Sequence, residues 1–178
     1  MPESSFTVIT GGPGSGKSTL IRHLAGRGFA TKPEAGRAVI QDQVAISGPA
    51  LPWSDPGLFA ELMLAWDLRS YREASRDEPV LFDRGLVDTV GYLVLLGRPV
   101  PRHLDAAART FRYHPRVFAA PPWPEIYEQD SERRQSLDEA ERTYEACVAA
   151  YAGYGYEVVT LPRAPVEQRA RFVLDRLA

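Results

Sequence analysis

The stretch Gly11-Gly-Pro-Gly-Ser-Gly-Lys-Ser18 constrains this chain more than any other. A run so rich in glycine cannot continue a regular element, yet it is bracketed by two of them. Phe6-Thr-Val-Ile-Thr10 is β-branched and apolar, and Ser18-Thr-Leu-Ile-Arg-His-Leu-Ala25 repeats its apolar residues at helical spacing. A strand that turns through glycine into a helix presents successive backbone N–H groups beside the positive end of the helix dipole, and that arrangement suits an anion.

Glycine, four residues, then Gly-Lys-Ser is the spacing of a phosphate-binding loop when a strand precedes it and a helix follows, as here. The expected nucleotide contacts are Gly11, Gly12, Pro13, Gly14, Ser15, Gly16, Lys17, Ser18 and Thr19. Lys17 is placed to reach the β and γ phosphates, Ser18 to give an oxygen to Mg²⁺, and Thr19 to touch the α-phosphate. The expected cofactors are therefore ATP or GTP, with Mg²⁺.

The remainder reads as alternating elements. Strands are expected over 28–32, 79–83, 116–120 and 156–161 besides 6–10, and helices over 18–25, 34–46, 56–76, 86–96, 102–113, 137–152 and 165–177. In the helix over 34–46, Ala38, Val39, Ala45 and Ile46 are set inward. Asp55 before Pro56 makes an N-cap followed by a proline at the first helical position. Pro79-Val-Leu-Phe-Asp83 is a continuous apolar run ending in a carboxylate, as in a strand buried on both faces. Strand and helix in alternation imply an α/β fold, a parallel sheet covered on both sides by helices. With 178 residues, 44% of them apolar, one domain spanning 1–178 is expected.

Composition excludes several partners. The 21 basic residues are scattered among 23 acidic ones for a net charge of −2, which disfavours nucleic acid. No apolar run is long enough for a membrane span, so the expectation is a cytoplasmic protein. Cys147 is the single cysteine, and no Cys and His cluster has zinc spacing. His23, His103 and His114 have no convincing partner arrangement.

Four segments together resemble the P-loop kinases, and more narrowly the predicted ATPases of the AAA_28 type, whose relatives include the ribosylnicotinamide kinase domain of the NAD regulator. They are 11–18, Pro33-Glu-Ala-Gly-Arg37, Phe82-Asp-Arg-Gly85, and Pro121-Pro-Trp-Pro-Glu-Ile-Tyr127 with the arginine-containing segment after it. The resemblance implies a five-stranded sheet in the order 2-3-1-4-5, a helical lid over 124–138 and a substrate cap over 48–76. Asp83, at the carboxyl end of its strand, is the expected metal-side carboxylate, against the alternative of a helix cap. Arg84 resembles the arginine of the Asp-Arg pair that orients substrate or steadies the transferring phosphate.

Glu34 matches the carboxylate that accepts the proton of an attacking hydroxyl, or else stabilises a helix start through the dipole. Arg37 shares its helix face and either pairs with Glu34 or holds an anionic substrate. Arg133 and Arg134 are candidates for lid arginines that close on the phosphates, or for an exposed pair with Asp130. Pro162-Arg-Ala-Pro165 follows the last strand, where the resemblance implies that Arg163 lies beside the nucleotide base, against the alternative that the prolines merely end the strand. Trp53 and Trp123 are aromatic residues in loops, suited to a ring or to packing. Two functions follow: a kinase acting on a hydroxyl of a nucleoside-, vitamin- or antibiotic-like molecule, or a nucleotide switch acting through a protein partner.

Overall fold

The computed structural model describes residues 5–126 and 136–177. Five parallel strands, β1 (Phe6–Gly11), β2 (Ala30–Lys32), β3 (Val80–Asp83), β4 (Arg116–Ala120) and β5 (Glu157–Thr160), form one sheet in the order β2-β3-β1-β4-β5. The order agrees with that expected from the resemblance. Between them run α1 (Lys17–Gly26), α2 (Ala35–Ala45), α3 (Pro56–Glu73), α4 (Leu86–Leu95), α5 (Arg102–Thr110), α6 (Leu137–Gly153) and α7 (Val166–Leu174). Among the described residues no helix is long and apolar enough to cross a membrane.

Successive strand residues face opposite sides of the sheet, so the apolar runs of β1, β3 and β4 feed two cores at once. Phe6, Val8, Val80, Phe82 and Val117 join Phe59, Met63, Leu86 and Tyr151 beneath α2 to α6. Ile9, Leu81, Phe118 and Ala120 join Leu20, Leu24, Ala170 and Val173 beneath α1 and α7. The register pairs Lys32 with Phe82, Ile9 with Asp83 and Gly11 with Ala120. Because all strands are parallel, their carboxyl ends form a single rim, and the loops after β1, β2 and β3 open there together.

Several expected boundaries shift. Ala45 and Ile46 do not turn inward: α2 ends at Ala45, both residues are exposed, and Ile46 is 70% exposed. α5 stops at Thr110 because Phe111 leaves helical geometry, with φ −96° and ψ 83°, which lets Tyr113 pack edge-on against Tyr71 and Phe82. At the start of α3, Asp55 accepts a hydrogen bond from the Leu58 N–H at 3.0 Å, ahead of Pro56. Tertiary packing adds a partner no spacing announces: His103 Nε2 lies 2.8 Å from the Glu61 carboxylate, on the surface.

Candidate active site

The loop between β1 and α1 owes its path to glycine. Gly14 and Gly16 take left-handed φ values of 69° and 72°, and Gly11 a φ of 137°, all disfavoured for residues with a side chain. Space is closed as well as conformation, since a methyl at Gly11 would come within 2.3 Å of the Ala120 carbonyl oxygen. Ser15 Oγ ties the loop to itself by donating to the Gly12 carbonyl at 2.9 Å. Gly16 is the N-cap of α1 and brings no side-chain cap, so the first N–H groups of the helix face the cavity above.

Lys17, only 5% exposed, donates to Asp83 and stands 3.7 Å from Glu34 Oε2. Arg84 Nε lies 3.5 Å from Glu34 Oε1, which places the Glu34 carboxylate between two cations. Neither carboxylate acts as a helix cap. Glu34 occupies the N-cap position of α2 without a cap hydrogen bond, and α4 is preceded instead by Gly85, whose N–H donates to Asp88 Oδ2 at 2.9 Å.

Arg84 is held in the left-handed region, φ 65°, a conformation that costs a residue with a Cβ about 1–3 kcal/mol and persists only where the surroundings enforce it. Burial opposes its charge, but Glu34, Asp88 and Asp83 outweigh that and push its pKa above the ordinary value.

Two further acidic groups surround this cluster. Asp88 accepts from Thr10 and, at 2.7 Å, from the Tyr151 hydroxyl, so both its oxygens are engaged. Asp67, on α3, is 6% exposed, and its carboxyl is pushed well above the usual range, first by burial and then by the negative charges of Asp88 and Glu34. Cys147 lies against the same network, where burial raises its thiol pKa.

The cluster forms the floor of a cavity of about 1470 Å³. Gly12 to Thr19 line its middle, and on one side stand Glu34, Arg37, Trp53, Asp67 and Arg84, with Phe59, Met63 and Tyr92 as apolar wall. Trp53 is 59% exposed, and Arg37 is exposed as well. On the other side stand Trp123, Ala164, Pro165 and Arg169. Gly11 lies beneath the loop. Arg163 is exposed and is not among the lining residues, while Arg133 and Arg134 lie outside the described residues.

Sequence reasoning missed Asp67, Asp88, Tyr92 and Arg169. A signal existed for two of them. Asp88 sits three residues after Gly85 at a helix start, the spacing of an acidic group reaching back to the N-cap N–H. Asp67 follows Phe59 and Met63 at intervals of four, a carboxylate on a helix face otherwise turned to the core. Tyr92 and Arg169 carry no local signal.

A five-stranded parallel sheet in this order, with a glycine-rich loop and Lys17 between β1 and α1, defines a P-loop NTPase, whose fold binds nucleotides through that loop. The chain belongs to the AAA domain family AAA_28, which it matches over residues 6–169.

Among solved structures it is similar to deoxyadenosine kinase from M. mycoides with products dCMP and a flexible dCDP bound, at 15% identity and a TM-score of 0.68, over 97% of this chain and 98% of that one. It is also similar to thymidylate kinase from Ehrlichia chaffeensis, at 14% identity and a TM-score of 0.63, over 99% of this chain and 100% of that one. The M. mycoides enzyme with bound dATP aligns at 14% identity and a TM-score of 0.57, over 97% of this chain and 98% of that one. No curated protein sequence matches.

Proposed function

We propose that this protein is an ATP-dependent kinase that phosphorylates a hydroxyl of a small molecule. The observation that carries the reading is that the cavity does not end at the phosphate loop. It continues into a second compartment walled by Trp53, Phe59, Met63 and Tyr92, with the Glu34 carboxylate at the junction. The volume of the whole cavity, about 1470 Å³, exceeds the roughly 300–1,000 Å³ of a single-ligand pocket. Hydrolysis alone needs no such compartment, and the TM-scores to a deoxyadenosine kinase and a thymidylate kinase support the same reading at the level of fold.

In this mechanism the loop N–H groups and Lys17 hold the triphosphate, and Ser18 and Asp83 supply hard oxygen ligands suited to Mg²⁺. The cradle fits a phosphate chain, since left-handed Gly14 and Gly16 carry the loop into α1 with no side-chain cap, leaving the first N–H groups of the helix to an anion. A metal held by these two side chains would supply positive charge against the negative charge of the phosphate oxygens. Glu34 accepts the proton of the acceptor hydroxyl as its oxygen bonds to the γ-phosphorus, and the bond to the β–γ bridging oxygen breaks to release ADP. Arg84 orients Glu34 and the acceptor, and Trp53 covers the acceptor's body. Arg37 borders the same compartment. Arg133 and Arg134 are proposed to close over the γ-phosphate.

ADP formation measured against nucleosides, vitamins and antibiotics tests the reading, guided by a thermal-shift screen in ADP and Mg²⁺. A ligand at a hundred times its Kd stabilises by about 2.7 kcal/mol. Turnover that rises with one acceptor supports the kinase. Slow hydrolysis unchanged by every acceptor, with nucleotide-dependent capture of a protein, would replace it with a switch.

A further inference from the structure

α7 contributes a cation to the cavity that neither the loop nor the acceptor chemistry uses. Arg169 is 3% exposed, lines the cavity, and lies so close over the loop that a methyl added to Gly16 would come within 2.5 Å of its Nη1. Its Cζ stands 5.7 Å from the centroid of the Trp123 ring. Nε is buried with no hydrogen-bond partner, and burial alone depresses the pKa, with no carboxylate among the described residues acting against it. Arg84, the other arginine on the floor, faces Glu34. A guanidinium buried without a partner is costly and is completed by an anion.

The sheet order says which part of a nucleotide that anion would be. Glu34 follows β2 on one side of β1, whereas α7 follows β5 at the opposite edge, so Arg169 and Glu34 approach the loop from opposite sides. With the γ-phosphate directed toward Glu34, the nucleoside end of the chain runs toward Trp123, Ala164, Pro165 and Arg169. We propose that Arg169 is a nucleotide-positioning residue whose guanidinium binds the non-bridging oxygens of the α-phosphate. The inference rests on the nucleotide-binding reading of the loop and gives α7 an α-phosphate contact, distinct from the place beside the base expected for Arg163.

The test is Arg169→Met, which keeps the length and removes the charge, titrated calorimetrically with ADP and Mg²⁺ beside the unaltered protein. Loss of a charge-assisted contact predicts a Kd about 10–100-fold higher. The melting temperature without nucleotide should stay at or above the parental value, since an unpaired buried charge has gone. A merely structural Arg169 would lower that melting temperature, and a parental Kd would equally overturn the proposal.

Independently of folding of the variant, the Arg169 Nε–H resonance of the unaltered protein should shift and exchange more slowly with water when ADP is added. An unchanged resonance with ADP bound sinks the proposal. If the unaltered protein takes up no ADP, the nucleotide reading falls with it, whereas equal binding by parent and variant removes this inference alone.

Discussion

The two halves of the cavity are built on different principles. The loop half is nine consecutive residues, 11–19, whose chemistry is mainly that of the backbone, N–H groups beside left-handed glycines and a helix start, with Lys17 and Ser18 adding side chains. The half proposed to take the acceptor draws Glu34 from the end of β2, Trp53 from a loop, Asp67 from α3, Arg84 from the turn after β3 and Tyr92 from α4, and its chemistry resides in side chains. A backbone site is specified by where glycine stands, so it tolerates little and reads locally. A side-chain site is specified by how helices pack, so any one member can change while the fold persists.

The contrast predicts a graded series of losses. Lys17→Ala should cost the most, with turnover falling by about 10³-fold or more, because no other mobile cation reaches the β and γ phosphates from the loop. It also strands the Asp83 carboxylate, so the melting temperature should fall too. Adding Asp83→Asn should restore much of the melting temperature and none of the turnover. A variant folded and active at the parental rate would end the loop assignment.

Glu34→Gln should lower acceptor phosphorylation by about 10²–10⁴-fold at saturating acceptor, with the Kd for ATP and Mg²⁺ unchanged. Parental transfer would move the base to Asp83 and erase the division between the halves. Asp83→Asn, at the seam, should raise the Mg²⁺ concentration needed for half-maximal rate by about tenfold, a single charge-assisted contact. An unaltered Mg²⁺ titration would leave Asp83 as the partner of Lys17 alone. Trp53→Ala should be milder, raising the acceptor KM by about 3–10-fold while kcat holds, as expected for one exposed aromatic wall.

The smallest effect concerns stability. The Asp67 carboxyl has a raised pKa in the folded chain, so as pH climbs past the ordinary value, about 3.9, the unfolded chain loses its proton first. Fewer protons on the unfolded state mean that folding stability drops through that window, up to the folded pKa. Asp67→Asn removes this penalty and should raise the melting temperature by about 2–4 °C at pH 7.5, with little change at pH 4. An equal rise at both pH values would trace the effect to packing instead.

The sequence by itself determined the element order and the phosphate loop. Short apolar runs and helical hydrophobic patterns are local properties of the chain, and the loop needs only glycines at set spacing followed by Gly-Lys-Ser, all within 6–25. Even the helix start at Asp55-Pro56 was legible, because its hydrogen bond spans three residues. Tertiary structure alone decided the rest. Which carboxylate meets which cation depends on strand register and the crossing of helices, and nothing in the local pattern brings Tyr92 or Arg169 to the cavity. Arg163 and Arg169 show the difference: both follow β5, but one points to solvent, and the other, on the inner face of α7, is folded against Gly16. The direction of a side chain on a helix is fixed by what the helix packs on, and that surface is assembled from residues distant in sequence.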